Sequence, residues 1–278
     1  MPIHDLMLLE GIGAVAAGLL GALTGLGGGI VIVPMLTLVF HVDIRYAIGA
    51  SLVSVIATSS GAAAAYVREG YTNVRVGMLL EVATTLGAIA GAFIAGLVST
   101  SVIAVVFGLI LLFSAYRATR PPPERVVDAP PDRLAAWFRL NGTYPTAEGE
   151  RAYTVQHVPA GFGLMALAGT ISGLLGIGSG MVKVLAMDQA MHLPFKVSTT
   201  TSNFMIGVTA AASAGVYLHR GYIEPALALP VMLGVLAGAL LGARILARTR
   251  TVLLRRVFDV VLVVIAIEML YKGITGGM

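Results

Sequence analysis

The sequence predicts an all-α polytopic membrane protein made of two homologous halves, and three observations lead to that class. Of its 278 residues, 57% are hydrophobic and only 12% are charged, and the mean hydropathy is +0.90. Soluble domains carry about a quarter charged residues and cannot bury this much apolar surface. Long apolar runs follow one another along the chain, and the chain aligns with itself at an offset of 151 residues, as from Gly25 to Gly176.

The apolar runs define the predicted membrane segments. They cover residues 6–40, 46–67, 76–98, 101–116, 159–191, 197–218, 225–247 and 252–271. Most are close to the ~20 residues with which a helix crosses a bilayer, and two are too long for one crossing. Strand-like alternation is absent from the sequence. About eight to ten helical membrane segments are therefore expected.

Composition also limits the function classes. The N-terminal MPIHDLMLLE has no basic region and no cleavage site, so we expect the first run to remain in the membrane. The absence of Cys excludes disulfides and thiolate chemistry. The net charge of +4 does not indicate a nucleic-acid partner, because the excess Lys and Arg of a membrane protein usually lie in its cytoplasmic loops. We expect no cofactor and no metal site.

A polar segment divides the chain. Residues 1–118 form the first predicted transmembrane repeat, 119–157 a linker, and 158–278 the second repeat. The linker holds most of the prolines and many charges, so we expect it outside the membrane, with a short amphipathic stretch at 132–140 between two loops. The simplest interpretation is a connection between two membrane halves; a regulatory or partner-binding role is the alternative.

The duplication depends on informative residues rather than on apolar composition. Residues 18–92 align with 169–243 without a gap, and the matched residues include Gly25/Gly176, Gly27/Gly178, Gly29/Gly180, His41/His192, Ser51/Ser202, Thr58/Thr209, Tyr66/Tyr217 and Tyr71/Tyr222. A fixed offset that matches Gly, His and Tyr indicates an internal repeat.

Charge suggests that the halves are inverted relative to each other. Arg68 and Arg75 flank the loop after the second run, whereas the loop at 98–101 is uncharged and its counterpart at 244–256 is rich in Arg. If basic loops are cytoplasmic, the halves have opposite orientations. Inversion needs an odd number of crossings, and splitting the long first run at its glycines provides five pieces. A parallel repeat of four is the alternative.

Two Gly-rich interruptions are the strongest functional signal. They read GLGGGIVIVP at 25–34 and GIGSGMVKVL at 176–185. A broken helix is tolerated in hydrocarbon only inside protein or beside water. The piece that restarts presents unpaired N–H groups to an anion, and paired breaks point to the midplane site of a transporter. The substrate-binding candidates here are Gly27, Gly28, Gly29, Gly178, Ser179 and Gly180. Close helix packing is the alternative, and it explains Gly87, Gly91, Gly234, Gly238 and Gly242.

Polar side chains near the interruptions extend the candidate site. Ser51 follows the first interruption, and Thr201, Ser202 and Asn203 follow the second. Lys183 lies three residues after Gly180 in an apolar run, where the first half has Ile32. An ammonium within a membrane is costly and is normally functional or paired, here with Asp188 as one option.

Three further residues are candidates for coupling or gating. Glu81 lies in the middle of the run 76–98, where it could carry a proton or pair with Lys183. His41 and His192 follow the restarted helical pieces in the two halves. A gating or proton-relay role is one interpretation of this pair, and interfacial polar caps are the other.

These features together resemble the sulfite exporter family of TauE/SafE type. The resemblance lies in the Gly-rich motif that opens each half, in Ala47 to Ser51 and Thr201-Ser202, in the Gly-Tyr after the next helix, and most specifically in KVSTTTSNFMIGVTAAASAGVY at 196–217. It covers both membrane halves. The sequence departs from the pattern at two positions of the second motif. Ser179 replaces a Gly, and Leu185 stands where a Pro like Pro34 is often found.

The resemblance implies a secondary transporter, with export as the expected direction, for small sulfur-containing anions such as sulfite or organosulfonates. The expected partners are that anion, the lipid bilayer of a bacterial inner membrane and, as one option, a second copy in a homodimer. A cation or proton-coupled transporter and a passive anion channel remain alternatives. An intramembrane enzyme lacks support, because no HExxH, G-x-S-x-G or carboxylate cluster is present.

Overall fold

Ten helices in two sets of five form the membrane part of the described chain. The computed structural model describes residues 3–24, 28–68, 70–119, 132–146, 149–246 and 251–276. The first half contains α1 (Ile3–Thr24), α2 (Gly29–Pro34), a π-helix (Met35–Val39), α3 (Ile44–Arg68), α4 (Val74–Ala95) and α5 (Thr100–Thr119). The linker contains α6 (Arg133–Trp137), β1 (Gly142–Thr146) and β2 (Gly149–Tyr153). The second half contains α7 (Val158–Leu175), α8 (Gly180–Leu185), a π-helix (Ala186–Ala190), α9 (Phe195–His219), α10 (Pro225–Leu246) and α11 (Thr251–Thr275).

The repeat extends to the boundaries of the elements. The offset of 151 residues carries α2 onto α8, α3 onto α9 and α4 onto α10 without a change in either boundary. Each half therefore has five helical pieces with a short second one, as the sequence predicts.

Both short helices continue into a π-helix of five residues. The amide of Phe40 donates to the carbonyl of Met35 over 3.4 Å, and the amide of Met191 donates to that of Ala186 over 3.2 Å. The next residues, His41 and His192, have φ values of 56° and 57°. This left-handed conformation ends the helical piece in both halves. Pro34 precedes the first π-helix but Leu185 precedes the second, so proline is not its cause.

Four of the described helices are long and apolar enough to cross a membrane: Val74–Ala95, Thr100–Arg117, Val158–Leu175 and Pro225–Gly242. Shorter apolar stretches cover Leu9–Leu20, Gly29–Val39 and Ile44–Ser60. The long helices α3 and α9 are less apolar because Ser and Thr side chains interrupt them. These hydroxyls mostly donate to the carbonyl one turn earlier, as Thr58 does to Ser54 and Thr200 to Lys196.

Glycines allow the closest contacts between the halves. A Cβ on Gly87 or Gly91 of α4 would collide with the backbone of α7, and one on Gly169 or Gly173 of α7 would collide with the backbone of α4. The equivalent pair is formed by α1 and α10, where a Cβ on Gly18, Gly234 or Gly238 would meet backbone atoms. The packing role predicted for Gly87, Gly91, Gly234 and Gly238 therefore agrees with their contacts, since small residues let helix backbones approach each other.

The equivalent helices α3 and α9 run in opposite directions. Arg45, in the first turn of α3, donates to the carbonyl of Val98 over 2.8 Å, just beyond the carboxyl end of α4. Arg220, after the last turn of α9, donates to the carbonyl of Ala92 near the same end. The hydroxyl of Thr201, near the start of α9, accepts a hydrogen bond from the amide of Asn73, just before α4. An inverted repeat requires this antiparallel relation.

The linker differs from the predicted pair of loops because it folds against the membrane helices. Helix α6 lies within the predicted stretch 132–140, but the antiparallel hairpin β1–β2 was not expected. Its Tyr144 and Tyr153 are buried in a cluster with Leu80, Met187 and Met191 of the membrane helices. We call residues 132–146 and 149–157 the cap. Burial raises the pKa of Tyr153, so its phenol stays neutral at physiological pH.

One asparagine joins the cap to the membrane helices. The side-chain nitrogen of Asn73, Nδ2, donates to the carbonyl of Leu140 and to the hydroxyl of Tyr153, both over 2.7 Å. Its side-chain oxygen accepts from the amide of Val76 and so caps α4. Further along the cap, the amide of Gln156 donates to the carbonyl of Met191. The cap therefore covers the amino end of α4 and the end of the second π-helix.

Candidate functional site

The two Gly-rich interruptions meet in the interior. Gly28 and Gly29 are buried, and a Cβ on Gly29 would lie 3.0 Å from the carbonyl oxygen of Gly176 and 3.1 Å from the Cα of Ile177. The hydroxyl of Ser51 donates to the carbonyl of Gly176 over 2.8 Å. The start of α2 thus packs against the backbone of the second interruption. Gly27 lies outside the described residues.

The second interruption is built from left-handed residues. Gly176, Gly178 and Ser179 have φ values of 68°, 71° and 48°. Glycine adopts this conformation without cost, but a serine there is strained. The first amides of the next helix, α8, have no partner within that helix. A side chain on Gly178 or Gly180 would press on Ile206 of α9, so these two glycines also serve packing.

Two serine hydroxyls beside this interruption have no hydrogen-bond partner among the described residues. Ser172 lies in the last turn of α7, and Ser179 directly precedes α8. Both are buried, with 0% and 3% of their surface exposed. A buried hydroxyl without a partner is costly and calls for a ligand or water. Ser179 was predicted as a site residue. Ser172 was not, because the position of Ser172 in α7 resembles ordinary packing of small residues.

Lys183 is the most unusual side chain of the site. It is fully buried, at 0% exposure, in the second turn of α8. Its ammonium donates to the hydroxyl of Thr209 over 2.6 Å. Among the described residues this neutral hydroxyl is its one hydrogen-bond acceptor, and an ammonium has three donors. The alternative that paired Lys183 with Asp188 receives no support from these contacts.

Glu81 reaches Lys183 through Thr209. The Thr209 hydroxyl donates to Oε1 of Glu81 over 2.7 Å, and the Thr85 hydroxyl is 3.3 Å from the same oxygen. The other oxygen, Oε2, is buried and has no partner in the described part of the chain. Glu81 was one of the two predicted partners of Lys183. Thr209 was not among the predicted site residues, and its match with Thr58 in the repeat was the available signal.

The hydrogen-bonded series Lys183–Thr209–Glu81 is present at only one of two equivalent places. The offset of 151 residues relates Lys183 to Ile32, Thr209 to Thr58 and Glu81 to Met232. Ile32 is fully buried, and Thr58 donates to the carbonyl of Ser54 in its own helix. The two halves share their backbone plan, but the charged residues are found only at the second interruption.

The remaining candidates lie around this centre in different ways. Ser202 is buried and donates to the carbonyl of Gly180 over 3.0 Å, whereas Thr201 accepts from Asn73 beside the cap. Asn203 is half-buried and joins neither contact. His41 is exposed at the end of the first π-helix, and His192 packs against the ring of His157 at 5.5 Å. In the part of the chain that the structure describes, no group of three or more His, Asp or Glu could hold a metal ion.

Comparison with known proteins decides the family. The model of the family described as sulfite exporter TauE/SafE matches residues 11–269, which is nearly the whole chain. The chain belongs to the sulfite exporter TauE/SafE family. The resemblance stated from the motifs is thereby confirmed, and no solved structure matches the chain.

Relatives of this TauE/SafE protein are described as transporters. It is 28% identical to the probable membrane transporter protein YunE of Bacillus subtilis (strain 168), over 93% of this chain and 95% of that protein. It is 25% identical to a probable membrane transporter protein of Xylella fastidiosa (strain 9a5c), over 98% of both chains, and 24% identical to YdhB of Bacillus subtilis, over 82% and 85%. Family, relatives and apolar helices together support a multi-pass membrane transporter rather than an enzyme.

Proposed function

We propose that this TauE/SafE protein is a secondary transporter of small sulfur-containing anions, such as sulfite or an organosulfonate, and that it exports them across the inner membrane of a bacterium. One observation carries the proposal: Lys183, a fully buried ammonium, lies on the helix that begins at the second interruption. A cation at this depth is costly unless a negative charge compensates it, and such residues usually mark a substrate path.

The polar groups at and beside the second interruption suit an oxyanion with several oxygens. Two N–H donors of the ammonium are not used by described residues, and the Ser172 and Ser179 hydroxyls lack partners there. Sulfite and sulfonate groups each have three oxygens that accept hydrogen bonds. Charge-assisted hydrogen bonds to such oxygens are about twice as strong as neutral ones. The anion would thus bind between α8 and the two serines, beside Gly28 and Gly29, with Ser51 and Ser202 holding the surrounding backbone.

The inverted relation of the halves suggests how access alternates. In transporters with inverted repeats, a central site opens to one side and then the other when one half rocks against its partner. The basic residues near the amino end of α4 favour a cytoplasmic position for the cap. Beneath the cap lies an apolar cluster that includes Leu80, Met187 and Met191, and we expect it to close that side. Opening to the cytoplasm would therefore require the cap and the second π-helix to move.

Ligand-induced stabilisation of the purified protein tests this proposal. A ligand at 100 times its Kd stabilises a protein by about 2.7 kcal/mol, which raises its unfolding temperature. We expect sulfite or a sulfonate to stabilise the protein, and carboxylates to do so less. Lys183→Met should lose the effect, whereas the matched control Lys272→Met, on α11, should keep it. Equal stabilisation of Lys183→Met would exclude Lys183 from the site, and no response of the wild type to any sulfur anion would reject the substrate class.

A further inference from the structure

We infer that Glu81 takes up one proton for each anion that binds, because the anion and the Glu81 carboxylate compete for the same buried ammonium. The inference builds on the proposed function and adds a coupled ion to it. It rests on three features: the hydrogen-bonded series Lys183–Thr209–Glu81, the unpartnered oxygen of Glu81, and the absence of these charges from the equivalent place at the first interruption.

The first feature is the contact itself. The Lys183 ammonium donates to Thr209, and Thr209 donates to Oε1 of Glu81, over 2.6 and 2.7 Å. A single hydroxyl therefore separates the two charges. Because Lys183 is fully buried, its charge is poorly screened by water and interacts strongly with any nearby anion.

Charge balance then determines what happens when an anion arrives. Without substrate, Lys183 and Glu81 neutralise each other. A monovalent anion beside Lys183 would leave one uncompensated negative charge in a buried place, and like charges there disfavour ionisation of a carboxyl group. Transfer of a proton from water to Oε2 of Glu81 forms one O–H bond and a neutral carboxylic acid. Lys183 then compensates the anion alone, and departure of the anion returns the proton to water.

The second feature shows where that proton can reside. Oε2 of Glu81 is buried and has no hydrogen-bond partner among the described residues, whereas Oε1 accepts from Thr209 and Thr85. A carboxylate with one unpartnered oxygen in an apolar region is poorly stabilised as an anion. Protonation at Oε2 leaves the hydrogen bonds to Oε1 in place.

Two other charged groups on the adjoining elements make their contacts elsewhere. Helix α7, which packs on both α4 and α9, has no charged side chain from its first residue to its last. Lys196 stacks over the ring of Tyr71, 5.4 Å from its centre, and Arg75 donates to the carbonyl of Arg139 in the cap. Asp188 lies five residues beyond Lys183, and Tyr217 and His219 lie in the last turn of α9. On α3, which also packs against α9, Arg45 donates to the carbonyl of Val98.

The third feature sets the stoichiometry. Ile32 and Met232 stand at the places equivalent to Lys183 and Glu81, so the equivalent place at the first interruption has no second acceptor of this kind. One proton should accompany one anion. For a divalent anion, one net negative charge then crosses the membrane, and an inside-negative potential favours its export.

The pH dependence of methanesulfonate binding tests the inference, because this probe keeps one charge across the accessible pH range. Linked uptake of one proton predicts that the Kd of the wild type rises about tenfold for each pH unit above the titration of Glu81. Glu81→Gln resembles the protonated carboxyl and should remove this slope. The matched control Glu268→Gln, an exposed residue on α11, should keep it.

Each outcome separates coupling from transport. Methanesulfonate binding with a Kd that is constant between about pH 5 and pH 9 would overturn the inference and leave the proposed function intact. Loss of the slope in Asp188→Asn instead of Glu81→Gln would also overturn it. Failure of the wild type to bind any sulfur anion would count against the proposed function itself.

A second pair of variants keeps the test decisive if Glu81→Gln does not fold. Thr209→Val preserves the shape of the side chain but removes the bridging hydroxyl, so the pH at which the slope begins should move. Thr209→Ser keeps the hydroxyl and should behave as the wild type. The same slope and onset in both variants would remove Thr209 from the relay and contradict the proposed geometry.

Discussion

Replacement of Asn73 should release the cap from the membrane helices. The side chain donates two hydrogen bonds to the cap, to Leu140 and Tyr153, and accepts one from Val76 at the start of α4. A net hydrogen bond contributes about 1 kcal/mol, and loss of a helix cap costs about 1 kcal/mol. The two lost bonds to the cap should weaken its attachment in Asn73→Ala by about 2 kcal/mol, roughly thirtyfold in the opening equilibrium. The lost bond to Val76 should separately destabilise the first turn of α4 by about 1 kcal/mol.

Hydrogen exchange of the β1 and β2 amides measures this opening directly. We expect hairpin exchange to be roughly thirtyfold faster in Asn73→Ala, since exchange follows the population of the open state. Asn73→Ser is the matched variant, because Ser caps a helix but is too short to reach Leu140 or Tyr153. It should speed exchange in the hairpin while the first turn of α4 remains protected. Unchanged hairpin exchange in Asn73→Ala would refute the assignment of Asn73 as the attachment point.

Three further predictions concern the cap, the helix contacts and the interruptions. Burial raises the pKa of Tyr153, so the unfolded phenol ionises first; docking of the cap should be stable below about pH 10 and weaken above it, and a spectrophotometric titration against Tyr153→Phe measures this. Gly173→Ala should lower the unfolding temperature by a destabilisation of about 1–3 kcal/mol, whereas Gly163→Ala, on the same helix with nothing within 4 Å, should not. Gly29→Ala should weaken sulfite stabilisation, because a Cβ there meets Gly176 of the other half; Gly163→Ala is again the control.

Much of the membrane architecture follows from local patterns in the sequence. Apolar runs predict the helices, and the repeat predicts that α2 and α8 share their boundaries, because both halves obey the same local rules. Lys183 was identifiable as unusual because a charged side chain in an apolar membrane segment is costly and is usually functional or paired. Its link to Glu81 was one of two options, since the residues lie in different halves and only the packing of α4, α8 and α9 brings them together.

Other parts of the site could not be predicted from one sequence. Thr209 resembles the many hydroxyls that bond to their own helix, and only its position between two charges distinguishes it. Ser172 has no counterpart in the first half, where Gly21 occupies the place. The hairpin of the cap has buried tyrosines, but they pack on membrane helices rather than on a core of their own. Such contacts depend on tertiary structure, which local propensity does not encode.

Sulfite flux through liposomes that contain the purified protein tests the central claim most directly, namely that an anion crosses the membrane by way of Lys183. The wild type and Lys272→Met should move sulfite faster than protein-free liposomes do. Lys183→Met should reduce the protein-dependent flux by at least about tenfold, the effect of losing roughly 1.4 kcal/mol of binding free energy. Flux through a folded Lys183→Met protein at the wild-type rate would contradict the proposed site.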